Sequence, residues 1–158
     1  MSFDEHDFRH CMGCFATGVT VVSSLKKENP IGITINSFAS LSLAPPQILF
    51  CLEKKSSNID VFIQGNKFNV NILAENQGYI SKHFASSEDK SFGDILFNVN
   101  EHKIPIIEGV IAVVECEIEA IHYSGDHIII IGGVNSLTKK SDAKPLIYFH
   151  GNYAKLKD

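Results

Sequence analysis

The 158-residue sequence predicts a mainly β protein, an antiparallel barrel with short helices packed outside it. Three observations carry that prediction. Apolar and polar residues alternate with a period of two in several of the apolar segments. Those segments follow one another through short turns rich in Gly, Pro, Asn and Asp. Helical periodicity is confined to short stretches, and no repeat, linker or low-complexity segment interrupts the chain.

Taken in order, Phe8, Cys11, Met12 and Phe15 recur at helical spacing behind the acidic residues Asp4, Glu5 and Asp7, which predicts a helix ending before Thr17-Gly18. "GVTVVSSL" and "IGITINSF", joined by "KKENP", predict a hairpin over 18–38. "ASLSLAPP" reads as a polar corner leading into the strand "QILFCLE". "SSNIDVFIQGNK" predicts a helix of one or two turns with a Ser or Asn cap and a Gly-Asn stop, and "FNVNIL" returns to strand alternation. Residues 75–94 read as helix then loop. In 110–122, Val110, Ala112, Val114, Cys116, Ile118 and Ala120 share one face, while Glu115, Glu117 and Glu119 lie on the other. The turn Tyr123-Ser124-Gly125-Asp126 leads into Ile128 to Ile131, a β-branched run that fits a strand buried on both faces. "PLIYFHGNYAKL" supplies a last short strand pair.

Length and composition favour one domain over residues 1–158: 44% of residues are hydrophobic and 20% charged. A net charge of -4 offers no basic face for nucleic acid. The longest apolar run, Ile128 to Val134, falls far short of the roughly 20 residues of a membrane span, and the acidic start is unlike a signal peptide. A soluble, cytoplasmic protein is expected. The cysteines at 11, 14, 51 and 116 form no disulfide framework and read as reduced thiols. Cys11 and Cys14, with His6 and His10 nearby, have the spacing of a dithiol or metal motif, but no second pair follows. Packing on an amphipathic helix accounts for them equally well, and no metal site is expected.

Two segments concentrate polar groups. Between Gly32 and Ser42, Thr34, Asn36, Ser37, Ser40 and Ser42 alternate with Ile33, Ile35, Phe38 and Leu41; either a polar ligand or a solvent-facing strand accounts for such a run. In "EKKSSN", Lys54 and Lys55 stand beside Ser56, Ser57 and Asn58 at a helix start, a combination suited to an anion such as phosphate and equally to an ordinary capped helix. No G-x-G-x-x-G, Walker, H-E-x-x-H or G-x-S-x-G sequence is present, which counts against Rossmann, P-loop and common hydrolytic sites. Of seven histidines, His127 alone joins a glycine-containing turn to a strand mouth; it reads either as a strand-end histidine or as a functional one.

Read together, "FATGVTVVSS", "GITINSFASLSLAPPQILFCL", "KKSSN", "FNVNIL", "SKHFA", "GVIAVVECEIEAIHYSGDHIIIIGGV" and "PLIYFHGNYAKL" resemble, in register over nearly the whole chain, the flavin reductase family. The resemblance implies an antiparallel split β-barrel of the FMN-binding type that works as a homodimer. It implies NAD(P)H:flavin oxidoreductase activity: hydride passes from NADH or NADPH to FMN, or FAD, and the reduced flavin serves a monooxygenase component or another acceptor. A tightly FMN-bound electron carrier is the alternative, and a binding protein without a redox role a third. By the same resemblance, Thr34, Ile35, Asn36, Ser37, Phe38, Ala39 and Ser40 line the isoalloxazine together with Leu52. Lys54, Ser56, Ser57 and Asn58 fall at the flavin phosphate, Phe84 and Ala85 beside the flavin, and Tyr153 in the G-x-Y element. His127 is the G-D-H histidine, where the nicotinamide docks. The chain departs from the family at Gly133 and Asn152, so the choice between NADH and NADPH stays open.

Overall fold

The structure, a computed structural model, describes residues 2–65, 67–86 and 90–157. In chain order its elements are α1 (Glu5–Met12), β1 (Thr17–Gly18), β2 (Thr20–Lys26), β3 (Asn29–Ile35), β4 (Ala39–Leu43), β5 (Pro46–Glu53), α2 (Ile59–Gln64), β6 (Lys67–Ile72), α3 (Gly78–Ala85), β7 (Phe97–Val99), β8 (Pro105–Ile107), β9 (Ala112–Ser124), β10 (His127–Lys139), β11 (Ile147–Phe149) and β12 (Asn152–Ala154). Seven strands make one antiparallel sheet in the order β3-β2-β6-β9-β10-β5-β4. β1, β11 and β12 form a second small sheet, and β7 pairs with β8.

The large sheet rolls into a barrel because its inner face must be removed from water. Val22, Ile33, Ile35, Phe50, Leu52, Val70, Ile128 and Ile130 converge there with the rings of Phe50, Phe62 and Phe68, whose centroids lie 5.4 to 6.5 Å apart. Burying each ring contributes about 2–3 kcal/mol. Phe62, from α2, plugs one end. Gly132 makes room for Phe68, since a Cβ there would stand 2.5 Å from the ring.

A second apolar layer, built from Val19, Val21, Leu73, Ile80, Phe84, Ile107, Val113 and Leu146, covers the outer face of β2 and β6 with α3 and the β7–β8 segment. Both faces of these two strands are therefore buried, and their polar side chains need internal partners. Asn71 donates to the Val21 carbonyl at 3.1 Å and to Ser23 Oγ at 2.9 Å, and its Oδ1 accepts from the Ile107 amide at 2.9 Å. Asn69 donates to the Pro105 carbonyl at 3.2 Å. These bonds fasten β8 to the barrel.

Several sequence expectations are revised. The corner "ASLSLAPP" contains β4, an edge strand on β5 ending before the cis Ala44–Pro45 bond. Its burial is too slight to leave an apolar pattern. The strand expected over 31–38 stops at Ile35, and β7 and β8 carry no strand expectation at all. In β9 the register slips opposite Ile131 and Gly132, so an extra residue at Glu119 turns Ile121, not Ala120, toward the barrel core. Ile128 and Ile130 are fully buried, but Ile129 and Ile131 only partly, so this run is not buried on both faces. Asn58 precedes α2 without a side-chain capping bond. Asn66 of the expected stop, and residues 87–89 of the expected loop, lie outside the described residues. No residue of α1 is buried, so Cys11 and Cys14 are exposed and do not pack within this chain. Among the described residues, no helix is long and apolar enough to cross a membrane.

Candidate functional site

A cavity of about 500 Å³ opens where the exit of β3, the end of β5, the 53–57 turn, the end of α3 and the start of β10 meet. Its position follows from the barrel's incomplete closure. β3 and β4 are the two ends of the sheet, so no ladder joins β3 to β5. Ser37 bridges them instead: its Oγ donates to the Cys51 carbonyl and accepts from the Cys51 amide, both at 3.0 Å. The chain from Thr34 to Ser37 can thus leave the sheet and expose its own polar groups to the cavity.

Phe84 forms one wall, and glycine makes this possible. A Cβ at Gly32 would stand 2.7 Å from the Phe84 ring, so only Gly at 32 lets α3 lie this close to β3. Thr34 Oγ1 donates to the Ser81 carbonyl at 2.6 Å, and Tyr153 Oη donates to Ser81 Oγ at 2.8 Å, which fixes α3 and β12 relative to that wall.

Ten of the residues singled out from the sequence line the cavity: Thr34, Ile35, Asn36, Ser37, Leu52, Ser56, Ser57, Phe84, Ala85 and His127. The others lie elsewhere. Phe38 packs against the barrel core, and Ala39 and Ser40 pair with Leu49 and Ile48 on β5. Asn58 is buried, its Oδ1 accepting from Lys26 Nζ at 3.1 Å. Lys54 donates through Nζ to the Gly125 carbonyl at 2.6 Å. Tyr153 lines a smaller hollow of about 200 Å³ that shares Thr34, Asn36 and Ala85 with the main cavity.

Ile33, Cys51, Glu53, Lys55 and Lys90 also line the cavity and were not singled out for it. Lys55 stands in the same "EKKSSN" run as its neighbours, where only the direction of the turn chooses between the two lysines. Lys90 lies in an irregular segment with no periodic signal; its Nζ donates to the Phe84 carbonyl at 2.6 Å, and burial lowers its pKa.

At the rim, His127 Nδ1 lies 2.7 Å from Asp126 Oδ1, and the histidine side chain is about half exposed. The imidazole beside Asp126 holds that carboxyl below its ordinary pKa, chiefly through this hydrogen bond. Hydroxyls, an amide and ammonium groups thus share one hollow with Phe84, Ile33, Ile35 and Leu52. Such a site can hold a flat ring carrying polar edges and an anionic tail. Among the described residues, the side chains spaced to share a metal ion are the exposed Asp4, His6 and Asp7, far from this chemistry in sequence and outside the cavity lining.

Comparison with known proteins agrees with this architecture. The chain is 38% identical over 152 residues to the reductase subunit HsaB of a flavin-dependent monooxygenase from Mycobacterium tuberculosis, covering 95% of this chain and 81% of that protein. It is 37% identical over 152 residues to the FMN reductase (NADH) SmoA of Agrobacterium fabrum, covering 96% and 86%. The NADH:FAD oxidoreductase of Streptomyces globisporus, solved in complex with NAD and FAD fragments, superimposes with a TM-score of 0.93 at 31% identity, covering 98% of this chain and 93% of that one. The fold is that of the flavin reductase split barrel. Residues 12–157 match the family described as flavin reductase like domain, and the chain belongs to that family.

Proposed function

We propose that the protein is an NAD(P)H:flavin oxidoreductase that reduces FMN or FAD with NADH in this cavity and supplies the reduced flavin to a monooxygenase. The observation that carries the reading is the cavity itself. Its volume of about 500 Å³ suits a small-molecule site, and its two kinds of wall suit the two ends of a flavin mononucleotide. Apolar Phe84, Ile35 and Leu52 cover a ring face, while Thr34, Asn36 and Ser37 offer groups to its polar edge. Ser56 and Ser57 supply hydroxyls, and Lys55 and Lys90 positive charge, for the phosphate.

A bound flavin supplies the hydride-accepting ring; the protein supplies position and charge. Transfer needs the nicotinamide held at the open side of that ring, and His127 stands at the rim where its imidazole can hold the incoming dinucleotide. The reading includes a homodimer: Phe15, 71% exposed beyond α1, and Leu43, 92% exposed on edge strand β4, are apolar surfaces suited to a second copy. It also includes a single domain over 1–158 and a cytoplasmic setting, where thiols stay reduced and nicotinamide nucleotides are available. NADPH is the less favoured donor, because the similar FMN reductase and the NAD-bound similar structure both use or bind the unphosphorylated nucleotide by name.

The test is NADH consumption by the purified protein with FMN, FAD or riboflavin added. Turnover that depends on added flavin supports the reading. No consumption with any of the three, using either nicotinamide, overturns it.

A further inference from the structure

Lys54 is held at the β9–β10 turn, where it makes two bonds to the same short loop. Its main-chain amide donates to the Asp126 carbonyl at 2.9 Å, and its Nζ donates to the Gly125 carbonyl at 2.6 Å. Its ammonium also lies 5.7 Å from the centroid of the Tyr123 ring. Gly125 takes φ 50°, a left-handed conformation that glycine adopts at little cost. One residue at the end of β5 therefore fastens both peptide carbonyls of the loop that delivers His127.

The loop in turn presents Asp126 Oδ1 to His127 Nδ1 at 2.7 Å. An ionised carboxylate only accepts hydrogen bonds, so Nδ1 carries the shared proton and Nε2 is the nitrogen left for a ligand. Exposed ion pairs on free loops gain little, and the Asp126 side chain is 83% exposed. What distinguishes this pair is that its loop is fixed from β5. Other charged groups near His127 are Glu53, its direct partner on β5, and Lys55 and Lys90 on the cavity wall.

We propose that Asp126 and Lys54 are positioning residues: Asp126 fixes His127 in the Nδ1–H form with Nε2 free, and Lys54 holds the Gly125–Asp126 turn so that it can. The inference rests on the reading of His127 as the residue that meets the nicotinamide. The lowered pKa of the Asp126 carboxyl is consistent with the bond.

The test is ¹⁵N NMR of the histidine rings in the full chain, with His127 assigned from its loss in His127→Gln, alongside single-turnover hydride transfer. In the native protein, neutral His127 is expected as the Nδ1–H tautomer, the minor form of free histidine. Asp126→Ala shifts it toward Nε2–H and slows hydride transfer about tenfold, as loss of one orienting hydrogen bond implies, with flavin affinity kept within about twofold. Lys54→Met produces a smaller shift in the same direction, and Lys54→Arg restores the native spectrum. A tautomer signal unmoved in Asp126→Ala overturns the proposal. A shifted tautomer with an unchanged rate supports the positioning and removes instead the assignment of His127 to the nicotinamide.

Discussion

Ser37 Oγ joins Cys51 at both its amide and its carbonyl, 3.0 Å each, so that one side chain stands in for the strand pairing the barrel lacks between β3 and β5. The pairing is incomplete for a reason visible in the fold: a full ladder there would fill the space into which Thr34, Asn36 and Ser37 now turn. Ser37→Ala is expected to lower stability by about 0.5–1.5 kcal/mol, since the two backbone groups regain water when the hydroxyl goes. Flavin affinity should fall more than stability does, and parallel denaturation and flavin titration check this. Equal native affinity in a destabilised variant would separate closure of the barrel from formation of the cavity.

Gly32 and Phe84 set the depth of that cavity. Gly32→Ala places a methyl group 2.7 Å from the ring and is expected to cost about 1–3 kcal/mol by overpacking, while weakening flavin binding as the ring shifts. Adding Phe84→Leu should recover stability but not flavin affinity. Thermal melts and fluorescence titrations of the single and double variants test both expectations.

Ser56 and Ser57 are expected to distinguish ligands by their phosphate. Replacing both by Ala should weaken FMN about tenfold and leave riboflavin nearly unchanged, because loss of one charge-assisted contact is worth roughly that factor. Parallel titrations with the two ligands read the difference. Equal loss for both would remove these serines from the phosphate.

The thiols should divide by environment. Burial, with Glu115 beside it, pushes Cys116 up to about 12, whereas Cys11 and Cys14 are exposed. A thiol reagent at pH 8 is expected to modify Cys11 and Cys14 rapidly in the native protein and Cys116 only on unfolding. Because the folded pKa of Cys116 exceeds the ordinary value of 9.0, its stabilising contribution is present below pH 9 and is lost as pH rises toward about 12. Cys116→Val should flatten that alkaline decline in denaturation midpoints.

Asn71 ties three elements together in a dry environment. Asn71→Ala leaves the Ile107 amide and the Val21 carbonyl short of a partner and is expected to cost about 2–4 kcal/mol, at 1–3 kcal/mol for each unsatisfied group. Hydrogen exchange at the Ile107 amide should rise more than exchange in β10.

Much of this was legible in the sequence because period-two burial leaves a period-two pattern. Val22, Phe50, Phe68 and Ile130 announce their strands through their own apolar spacing. β4 did not, since an edge strand with mostly exposed residues has no pattern to show, and β7 and β8 are too short to show one. At the site, Ser56, Ser57 and His127 were found through turn chemistry. Lys54 and Lys55 could not be told apart, because adjacent residues in a turn face opposite ways and only the three-dimensional path chooses. Lys90 was invisible for another reason: it reaches the cavity through a segment whose course depends on Phe84 and Gly32, residues distant in the chain.

The central claim is that flavin passes through this cavity as a substrate reduced by nicotinamide. Its most direct test is anaerobic rapid mixing of the purified protein with NADH and FMN, the flavin in large excess over protein, followed at the visible flavin band. Bleaching of the whole flavin pool, abolished or greatly slowed in His127→Ala, is the predicted result. Bleaching limited to one flavin per chain, or none, would contradict the reductase and favour a carrier that keeps its flavin.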